Sequence, residues 1–331
     1  MTLRIGTLGA ARITPNALIK AAASLANVEV CAIAARDLSR ARAFAETHKI
    51  ARVYDNYEAL LADPQIDAIY NPLPNSLHAE WSIKALRAGK HVLCEKPIAA
   101  NAEEAKLMAA TAAETGLVLM EAFHNLYHPL IRRMKEVVDS GELGNIRHIE
   151  GHFCTILRRL DDIRYRWELA GGATMDLGCY PLRLMRYLIG EIPTVTHAHA
   201  SCIKPQIDRW MAADLQFPGG VRGRMTCAFF SLRLIRMSAW VVGDAGEMHV
   251  LNPIVPHRYN RLTVKTSGTS RHESFPGESS YTHQLRVFVE AVQTGIPPLT
   301  DGKDGIINMQ IIDDVYRKAG LKPRGMVVMD Q

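Results

Sequence analysis

The sequence lacks the features that mark nucleic-acid-binding, disulfide-stabilised and membrane-spanning proteins. Its six cysteines are scattered and none has Cys-x-x-Cys spacing, so we expect buried thiols in a reducing compartment. The net charge of +5 comes from dispersed Lys and Arg without a basic tail, which argues against nucleic acid as a partner. No apolar run approaches the roughly 18–20 residues that span a bilayer. We therefore expect a cytoplasmic protein that binds neither nucleic acid nor a membrane.

A metal site is not expected either. His197 and His199 have the alternating spacing that places both rings on one face of a strand. No Cys, Asp or third His of obvious metal-ligand geometry accompanies them. An ordinary sheet surface explains this pair better, and the predicted metal ligands are none.

The composition is that of a soluble globular protein, with 48% hydrophobic and 22% charged residues, and the length allows two domains. The first 122 residues alternate short β-branched runs with helical patterns, which is typical of a parallel sheet with crossover helices. The predicted strands are Leu3–Leu8, Glu29–Ala34, Arg52–Tyr54, Ala68–Tyr70, His91–Cys94 and Val118–Glu121. The predicted helices start near Pro15, Leu38, Tyr57, Leu77 and Glu103, with Asp37 and Asn101 as N-caps.

The pattern changes after Phe123, where strand-like runs follow one another with few helices between them. The predicted strands are Ile146–Thr155, Thr194–Ile203, Ala212–Phe217, Val221–Phe230, Ser238–Val242 and Glu247–Val250, and the predicted helices are Pro129–Ser140, Ala173–Ile189, Thr282–Thr294 and Gly305–Lys318. Turn residues from Pro253 to Glu278 predict a mobile loop. The fold class is therefore α/β: a Rossmann domain with a parallel sheet (residues 1–122), then an α+β domain with a large, mostly antiparallel open sheet (residues 123–331).

A glycine turn follows the first predicted strand and opens the first helix. In the segment Gly9-Ala-Ala-Arg-Ile-Thr14, only the first glycine of a G-x-G-x-x-G pattern is kept, and Ala11 and Thr14 take the other two places. A glycine at the first place allows a tight turn, and a small second residue lets backbone N–H groups approach a pyrophosphate. The turn residues Gly9, Ala11, Arg12 and Ile13 are therefore predicted to bind a dinucleotide. An apolar strand-turn-helix without a ligand is the alternative.

The end of the second predicted strand indicates which dinucleotide the protein binds. An NAD enzyme places Asp or Glu there to bind the ribose 2′-hydroxyl group, but this chain has Ala35-Arg36-Asp37. An arginine in place of the acid favours a 2′-phosphate, and Arg40 lies one helical turn further on. The sequence therefore predicts NADP rather than NAD as the cofactor. A solvent-exposed charge at the helix entry is the alternative reading of Arg36.

The segment "HVLCEKPIAAN" places a charged pair and a proline where a buried strand ends. Pro97 cannot donate to a sheet ladder and disfavours helical geometry at the residue before it. Lys96 is therefore expected at the rim of the sheet in an extended or turn conformation. On these residues alone, an ordinary strand-ending turn with a surface ion pair explains the segment equally well.

Taken in order along the chain, these segments resemble the glucose–fructose oxidoreductase/inositol dehydrogenase (Gfo/Idh/MocA) family across nearly the whole sequence. The segments are Gly9-Ala-Ala-Arg-Ile13, Ala35-Arg36-Asp37, Asn71-Pro-Leu-Pro-Asn75 with His78, Glu95-Lys96-Pro97 and Gly171-Gly-Ala-Thr-Met-Asp-Leu-Gly-Cys-Tyr180. Each is weak by itself and together they are specific. The variant details are most similar to the branch that holds dimeric trans-dihydrodiol dehydrogenase and NADP-dependent D-xylose dehydrogenase.

The resemblance implies a set of roles for individual residues. It implies that Lys96 points at the nicotinamide and the substrate, with a cis peptide bond before Pro97. It also implies cofactor contacts, near the groove, the nicotinamide ribose or the phosphates, for Asn71, Leu73, His78, Glu95, Asn125 and Arg164. The open sheet of the second domain is implied to form the interface of a homodimer or homotetramer. Where many members have His four residues after the Asp of the Gly-Gly helix, this chain has Tyr180, as its branch does.

Oxidation of a secondary alcohol needs a hydride acceptor and a group that takes the hydroxyl proton. The phenol of Tyr180 has an ordinary pKa near 10 and is a poor base at neutral pH. An ammonium about 4 Å away, from Lys96, contributes roughly 4 kcal/mol at an effective dielectric near 20, which lowers that pKa. We therefore expect Tyr180 as general acid/base, with Lys96 orienting the substrate oxygen; direct proton transfer by Lys96 is the rival assignment. Asp176, one helical turn before Tyr180, is expected to bind a substrate hydroxyl or orient Lys96.

The leading expectation is an NADP-dependent dehydrogenase or reductase that acts on a sugar, polyol or cyclic trans-diol. One alternative is a keto-sugar reductase working in the other direction, or a glucose–fructose-type enzyme that recycles a tightly held cofactor. A further alternative is a regulator that binds NADP but has lost catalysis. The presence of Lys96, Asp176 and Tyr180 argues against the regulator. The sequence at His124 and Asn125 departs from the Trp-x-Arg segment expected there, so the substrate itself is not predicted.

Overall fold

The computed structural model describes residues 2–230 and 235–325, and these fall into two compact units. The first unit comprises residues 2–124 and 281–306, and the second comprises the described residues of 125–280 and 307–325. Residues 1, 231–234 and 326–331, which the predicted domain ranges include, lie outside this description. Packing therefore groups residues 281–306 with the first unit, whereas the domain boundary at residue 122 stays a prediction.

The first unit is built on a six-stranded parallel sheet, as the sequence predicted. Its strands are β1 (Leu3–Leu8), β2 (Val28–Ala34), β3 (Arg52–Tyr54), β4 (Ala68–Asn71), β5 (His91–Cys94) and β6 (Leu119–Glu121). The strand order is β3-β2-β1-β4-β5-β6, so the direction of winding reverses between β1 and β4. Ligands of open α/β sheets bind at such a switch point, beyond the carboxyl ends of the strands.

Helices connect the strands of the first unit. They are a π-helical turn (Pro15–Ile19) that runs into α1 (Lys20–Ala22), then α2 (Leu38–His48), α3 (Tyr57–Ala62), α4 (His78–Arg87) and α5 (Ala102–Thr115). The Asp37 side chain accepts hydrogen bonds from the N–H groups of Ser39 and Arg40, which confirms it as the N-cap of α2. The Asn101 side chain caps α5 in the same way, and Gly116 ends that helix in a left-handed conformation.

A segment from the far end of the sequence completes the first sheet. Asp301 forms an isolated antiparallel bridge with Met120 of β6. The N–H of Glu121 donates to the carbonyl of Thr300 at 2.7 Å, and the Thr300 hydroxyl donates to the carbonyl of Glu121 at 2.6 Å. This segment lies between α8 (Ser280–Thr294) and α9 (Gly302–Lys318). The free edge of β6 is thereby paired with chain that is distant in sequence.

The second unit is built on an eight-stranded sheet of order β14-β13-β12-β11-β7-β10-β9-β8. Its strands are β7 (Ile146–Cys154), β8 (Thr194–Lys204), β9 (Ile207–Gln216), β10 (Arg222–Ala228), β11 (Arg236–Gly243), β12 (Gly246–Leu251), β13 (Arg261–Thr266) and β14 (Thr269–Glu273). β7 and β10 pair in parallel, and the other pairs are antiparallel. The prediction of a mostly antiparallel sheet is confirmed.

The prediction of a mobile loop from Pro253 to Glu278 is wrong, because β13 and β14 form a hairpin within it. Leu262 and Val264 alternate with outward polar residues and are buried on the sheet. The many turn residues around this short alternation concealed its strand period of two. The hairpin adds two strands to the sheet, with β14 at its edge.

Helices cover one face of the second sheet. They are α6 (Pro129–Asp139) and α7 (Cys179–Ile189), the latter preceded by a π-helical turn (Thr174–Gly178). Gly151, in the middle of β7, lets α7 approach closely, because a Cβ at this position would lie 2.7 Å from that of Pro181. Within the described residues, none of the helices combines the length and the apolar character that crossing a bilayer requires.

Candidate active site

The glycine turn lies at the carboxyl end of β1. Gly9 has φ +79°, which favours glycine, and its N–H donates to the Ala34 carbonyl at 2.6 Å. A Cβ at Gly9 would lie 3.2 Å from the Leu73 side chain, so the turn has little room for a larger residue. In the part of the chain that the structure describes, the N–H groups of Arg12 and Ile13 have no acceptor. These donors, at the start of a helix and at the switch point, fit the pyrophosphate of a dinucleotide.

Arg36 and Arg40 lie just beyond the end of β2, and both side chains are exposed. Among the described residues, neither guanidinium forms a salt bridge with a carboxylate. Asp37, which stands between them, is occupied as the helix cap, and its hydrogen bond from the Ser39 hydroxyl lowers its pKa. The place of the ribose-binding acid is therefore positively charged, which fits a 2′-phosphate.

The residues predicted after β4 form a buried hydrogen-bonded cluster. The Asn71 side chain donates to the His78 carbonyl and to the Ser82 hydroxyl, and accepts from the N–H of Leu73. The ring nitrogens of His78 lie 2.8 Å from the Pro97 carbonyl and 2.7 Å from the Leu73 carbonyl. Asn71 and His78 thus hold the loops after β4 and β5 in place, and their cofactor contacts stay predictions.

His78 is a neutral ring at physiological pH. Its burial lowers its pKa to about 4, although the two carbonyl contacts act in the opposite direction. Only one ring nitrogen then carries a proton, so only one of the two carbonyls receives a hydrogen bond from it. The ring is therefore uncharged, and it lies between the Leu73 and Pro97 carbonyls and connects the loops after β4 and β5.

Glu95 and Lys96 follow β5, and both are partly exposed. The peptide bond between Lys96 and Pro97 is cis, as the family resemblance implied. The Tyr70 hydroxyl donates to Oε1 of Glu95 at 2.7 Å, and burial, with the Glu95 charge, raises the pKa of that phenol well above its ordinary value. Glu95 is thus held by a neutral tyrosine of the adjacent strand.

The second unit contains the other predicted catalytic residues. Nε of Arg164 donates to Oδ2 of Asp176 at 2.7 Å, and the same guanidinium contacts Oδ1 of Asp162 at 3.2 Å. The Asp176 charge raises the pKa of Arg164. The Asp162 side chain is largely buried, and it also accepts a hydrogen bond from the N–H of Arg164 at 3.0 Å.

Tyr180 lies in the first turn of α7, with the rest of its helix against the sheet. It is 6% exposed, and its ring meets that of Phe153 edge-on with centroids 5.6 Å apart. Asn125 is buried and donates to the Pro253 carbonyl at 3.1 Å. The sequence thus placed Asp176 and Tyr180 correctly on one helix, and the cofactor roles of Asn125 and Arg164 stay predictions.

Sequence reasoning missed a buried ion pair, which Arg324 and Asp208 form beside the Gly171-Gly172 turn. Their charged atoms lie 2.9 Å apart, and neither side chain is accessible. Arg324 follows α9 in the short segment Leu321-Lys-Pro-Arg-Gly325, and Asp208 is the second residue of β9. Nothing in either local pattern marks a buried charge, so only the tertiary structure reveals the pair.

The parallel sheet, its switch point, the glycine turn and the two exposed arginines define a dinucleotide-binding oxidoreductase. Comparison with family models agrees: residues 3–123 match the oxidoreductase family with an NAD-binding Rossmann fold, and residues 131–249 match the GFO/IDH/MocA C-terminal domain. The chain belongs to the Gfo/Idh/MocA family of oxidoreductases.

Three relatives show how far the similarity extends. D-xylose 1-dehydrogenase (NADP(+)) 2 of Haloferax volcanii is 35% identical over 96% of this chain and 97% of its own length. Trans-1,2-dihydrobenzene-1,2-diol dehydrogenase of Sus scrofa is 34% identical over 80% of this chain and 78% of its own. The crystal structure of a 3-ketoreductase from Actinomadura kijaniata, in complex with NADP and TDP-benzene, superposes with a TM-score of 0.89 at 30% identity over 96% of this chain and 98% of that one.

Proposed function

We propose that this protein is an NADP-dependent oxidoreductase that transfers a hydride between the nicotinamide and a secondary alcohol or carbonyl of a sugar, polyol or cyclic trans-diol. The observation that carries the proposal is the pair of exposed arginines, Arg36 and Arg40, at the position where an NAD enzyme has an acid. The D-xylose and dihydrodiol dehydrogenases, similar over most of the chain, support the substrate class.

The residues of the chain take separate roles in this reaction. NADP, when bound, supplies the hydride acceptor or donor. Tyr180 exchanges a proton with the substrate oxygen, and Lys96 orients that oxygen and lowers the pKa of the phenol by its charge. Asp176, held by Arg164, accepts a hydrogen bond from a neighbouring substrate hydroxyl. Lys96 as the proton-transferring group is the competing assignment.

The test is a spectrophotometric screen of aldoses, polyols and cyclic diols with NADP and with NAD. We expect turnover with NADP, and we expect Tyr180→Phe to lower kcat by about two to four orders of magnitude, the usual range for a general acid/base. Tyr187→Phe, on the same helix, is the matched control and should keep wild-type activity. Retention of more than about a third of wild-type turnover by Tyr180→Phe at every pH would assign the proton transfer elsewhere.

Reduction of a keto-sugar is the second candidate, and the NADP-bound 3-ketoreductase structure favours it. The same variants apply, with NADPH and keto-sugars as substrates. A cofactor that remains bound through gel filtration would indicate recycling within the enzyme, as in glucose–fructose oxidoreductase. Tight NADP binding without turnover of any substrate in either direction would favour a regulator.

We also propose that the protein assembles as a homodimer or homotetramer through the sheet of the second unit. On the face away from α7, this sheet presents half-buried Trp210 and Trp240 with charges of both signs, among them Arg224 and Asp214. A surface of mixed charge with aromatic residues at its centre can be self-complementary across a two-fold axis. Sedimentation should give a dimer or tetramer for wild type, and smaller species for Trp210→Glu; a monomeric wild type would exclude the assembly.

A further inference from the structure

A buried salt bridge between Arg324 and Asp208 lies beside the Gly171-Gly172 turn. Both side chains have zero exposed area, and NH2 of Arg324 lies 2.9 Å from Oδ1 of Asp208. Burying two charges is strongly unfavourable unless their remaining hydrogen-bonding groups are also satisfied. The role of the pair therefore has to be inferred from the contacts that Arg324 and Asp208 make with other residues.

The remaining contacts of Arg324 fix the turn. Its Nε donates to the Gly171 carbonyl at 2.7 Å, and NH1 donates to the Lys322 carbonyl at 2.8 Å. The guanidinium carbon lies 3.9 Å from the ring centroid of Tyr316 and 4.8 Å from that of Trp167, in cation–π geometry. Arg324 thus holds the Gly171 carbonyl with a rigid, fully oriented group.

The remaining contacts of Asp208 fix the start of a helix. Oδ2 accepts from both the N–H and the hydroxyl of Thr174, each at 2.7 Å, and Oδ1 also accepts from the Tyr316 hydroxyl at 3.0 Å. Thr174 begins the π-helical turn that contains Asp176 and continues into α7 with Tyr180. A carboxylate at a helix N-terminus is stabilised by the free N–H groups and by the helix dipole.

The turn between these two anchors contacts the ion pair directly. Gly172 has φ +130°, and a Cβ there would lie 2.2 Å from Oδ1 of Asp208 and 2.8 Å from NH2 of Arg324. The N–H of Gly172 donates to the carbonyl of Arg164, whose side chain binds Asp176. Three hydrogen bonds, linked by the backbone of Gly171-Gly172 and by the Arg164 residue, therefore connect Arg324 to Asp176.

We propose that Arg324 is a positioning residue for the reaction: through Gly171 and Asp208, it sets the geometry of Asp176 and Tyr180. This inference rests on the proposed function, in which those two residues act on the substrate. A displacement of about 1 Å at a reacting group can cost on the order of a hundredfold in rate, so a distant anchor can control kcat.

The principal experiment compares Arg324→Ala with Arg317→Ala, a control from the same C-terminal region with an exposed guanidinium. We expect Arg324→Ala to lower kcat by about tenfold or more while the KM for NADP changes by less than about threefold. Free guanidinium ion, at concentrations too low to denature, should restore part of the lost kcat in Arg324→Ala by filling the vacated site. Arg324→Lys should be intermediate, because an ammonium replaces the charge but not the planar fork.

Two readouts need no substrate. Arg324 lies over Trp167, so Arg324→Ala should change the Trp167 contribution to fluorescence, obtained by difference from the same variant with Trp167→Phe. Backbone N–H groups from Gly171 to Asp176 should exchange with deuterium faster, while those of α6 do not. Asp208→Asn, which keeps the shape of the side chain, should reproduce both effects if Arg324→Ala fails to fold.

The experimental outcomes distinguish a failure of the positioning role of Arg324 from a failure of the proposed oxidoreductase function. A folded Arg324→Ala with wild-type kcat, or a kcat loss that guanidinium leaves unchanged, would overturn the positioning role while NADP-dependent turnover still stands. If the wild type turns over no substrate, the proposed function fails, and the exchange of the Gly171–Asp176 amides alone decides whether Arg324 orders this turn. Unchanged exchange there would overturn the inference as well.

Discussion

Arg164 and Asp176 form an ion pair in which Nε and Oδ2 lie 2.7 Å apart. The pair is partly exposed, with side-chain accessibilities of 42% and 19%, so its contribution to stability is small. The same guanidinium contacts Asp162, so Arg164 is held from two sides and can orient the Asp176 carboxylate.

Arg164→Met should therefore impair catalysis more than stability. The Asp176 carboxylate loses its fixed orientation, and we expect kcat/KM to fall by about tenfold or more while the free energy of unfolding changes by less than about 1 kcal/mol. Steady-state kinetics and urea unfolding measure the two effects. Arg166→Met, an exposed neighbour in the same segment, is the control and should leave both quantities unchanged.

Cofactor choice should depend on the exposed arginines after β2. We expect Arg36→Ala and Arg40→Ala each to weaken NADP binding by about tenfold or more, since each removes a charge-assisted contact to the 2′-phosphate, and to leave NAD binding nearly unchanged. Calorimetry with both dinucleotides gives the comparison. Arg42→Ala, exposed on the same helix, should bind both as wild type does. Equal losses of affinity for NAD and NADP would mean that these arginines do not contact the 2′-phosphate.

Stability of the first unit should fall in acid because of His78. The folded protein keeps this ring neutral down to about pH 4, whereas in the unfolded chain it takes up a proton near its ordinary value of 6.5. The unfolded state binds more protons between these values, so the free energy of unfolding is highest above about pH 6.5 and decreases as the pH falls, by at most roughly 3 kcal/mol.

His78→Gln should remove this part of the pH dependence. Urea unfolding at a series of pH values, for wild type, His78→Gln and the control His48→Gln, measures the slope. The variant is less stable than wild type near neutral pH, because the carbonyl contact of the ring is lost, but its curve should be flatter. A slope equal to that of wild type would show that other groups cause the acid sensitivity.

The Gly171-Gly172 turn before α7 should tolerate no side chain. Gly172→Ala combines a positive φ with a Cβ only 2.2 Å from Asp208, whereas Gly190→Ala has a positive φ with no atom within 4 Å. We expect Gly190→Ala to cost about 1–2 kcal/mol of unfolding free energy from backbone strain alone, and Gly172→Ala to cost clearly more. The extra cost of Gly172→Ala combines its less favourable φ, +130° against +82° at Gly190, with the clash against the Arg324–Asp208 pair and the Tyr316 hydroxyl; equal costs for the two variants would contradict the clash.

Local patterns were sufficient for most of the first unit. The strands Leu3–Leu8, Arg52–Tyr54 and His91–Cys94 have the predicted bounds, and the cap at Asp37 was visible in the sequence. These features depend on neighbours in the chain, which a sequence pattern records. The pairing of Asp301 with Met120 depends on residues far apart, and no local pattern encodes it.

The candidate site also combines features that local sequence patterns predict with long-range contacts that they do not. Gly9, Arg36, Lys96 and Tyr180 stand at strand or helix ends that the pattern locates, and the order of their segments indicated the family. The sequence indicates both Arg164 and Asp176 as candidate site residues, but it does not show that they form an ion pair with each other. A sequence identifies each charged residue but not the residue with which it pairs. The buried pair of Arg324 with Asp208 is the clearest example.

The pairing of β6 with the Thr300 segment has a consequence for synthesis on the ribosome. The Thr300 hydroxyl reaches a carbonyl 179 residues earlier in the chain, so a nascent polypeptide emerges with the outer edge of β6 still bare. At about 5–20 residues per second, translation leaves that edge bare for roughly 10–35 seconds. During this interval it can pair with foreign strands, and a chaperone that shields it would raise the yield of active protein.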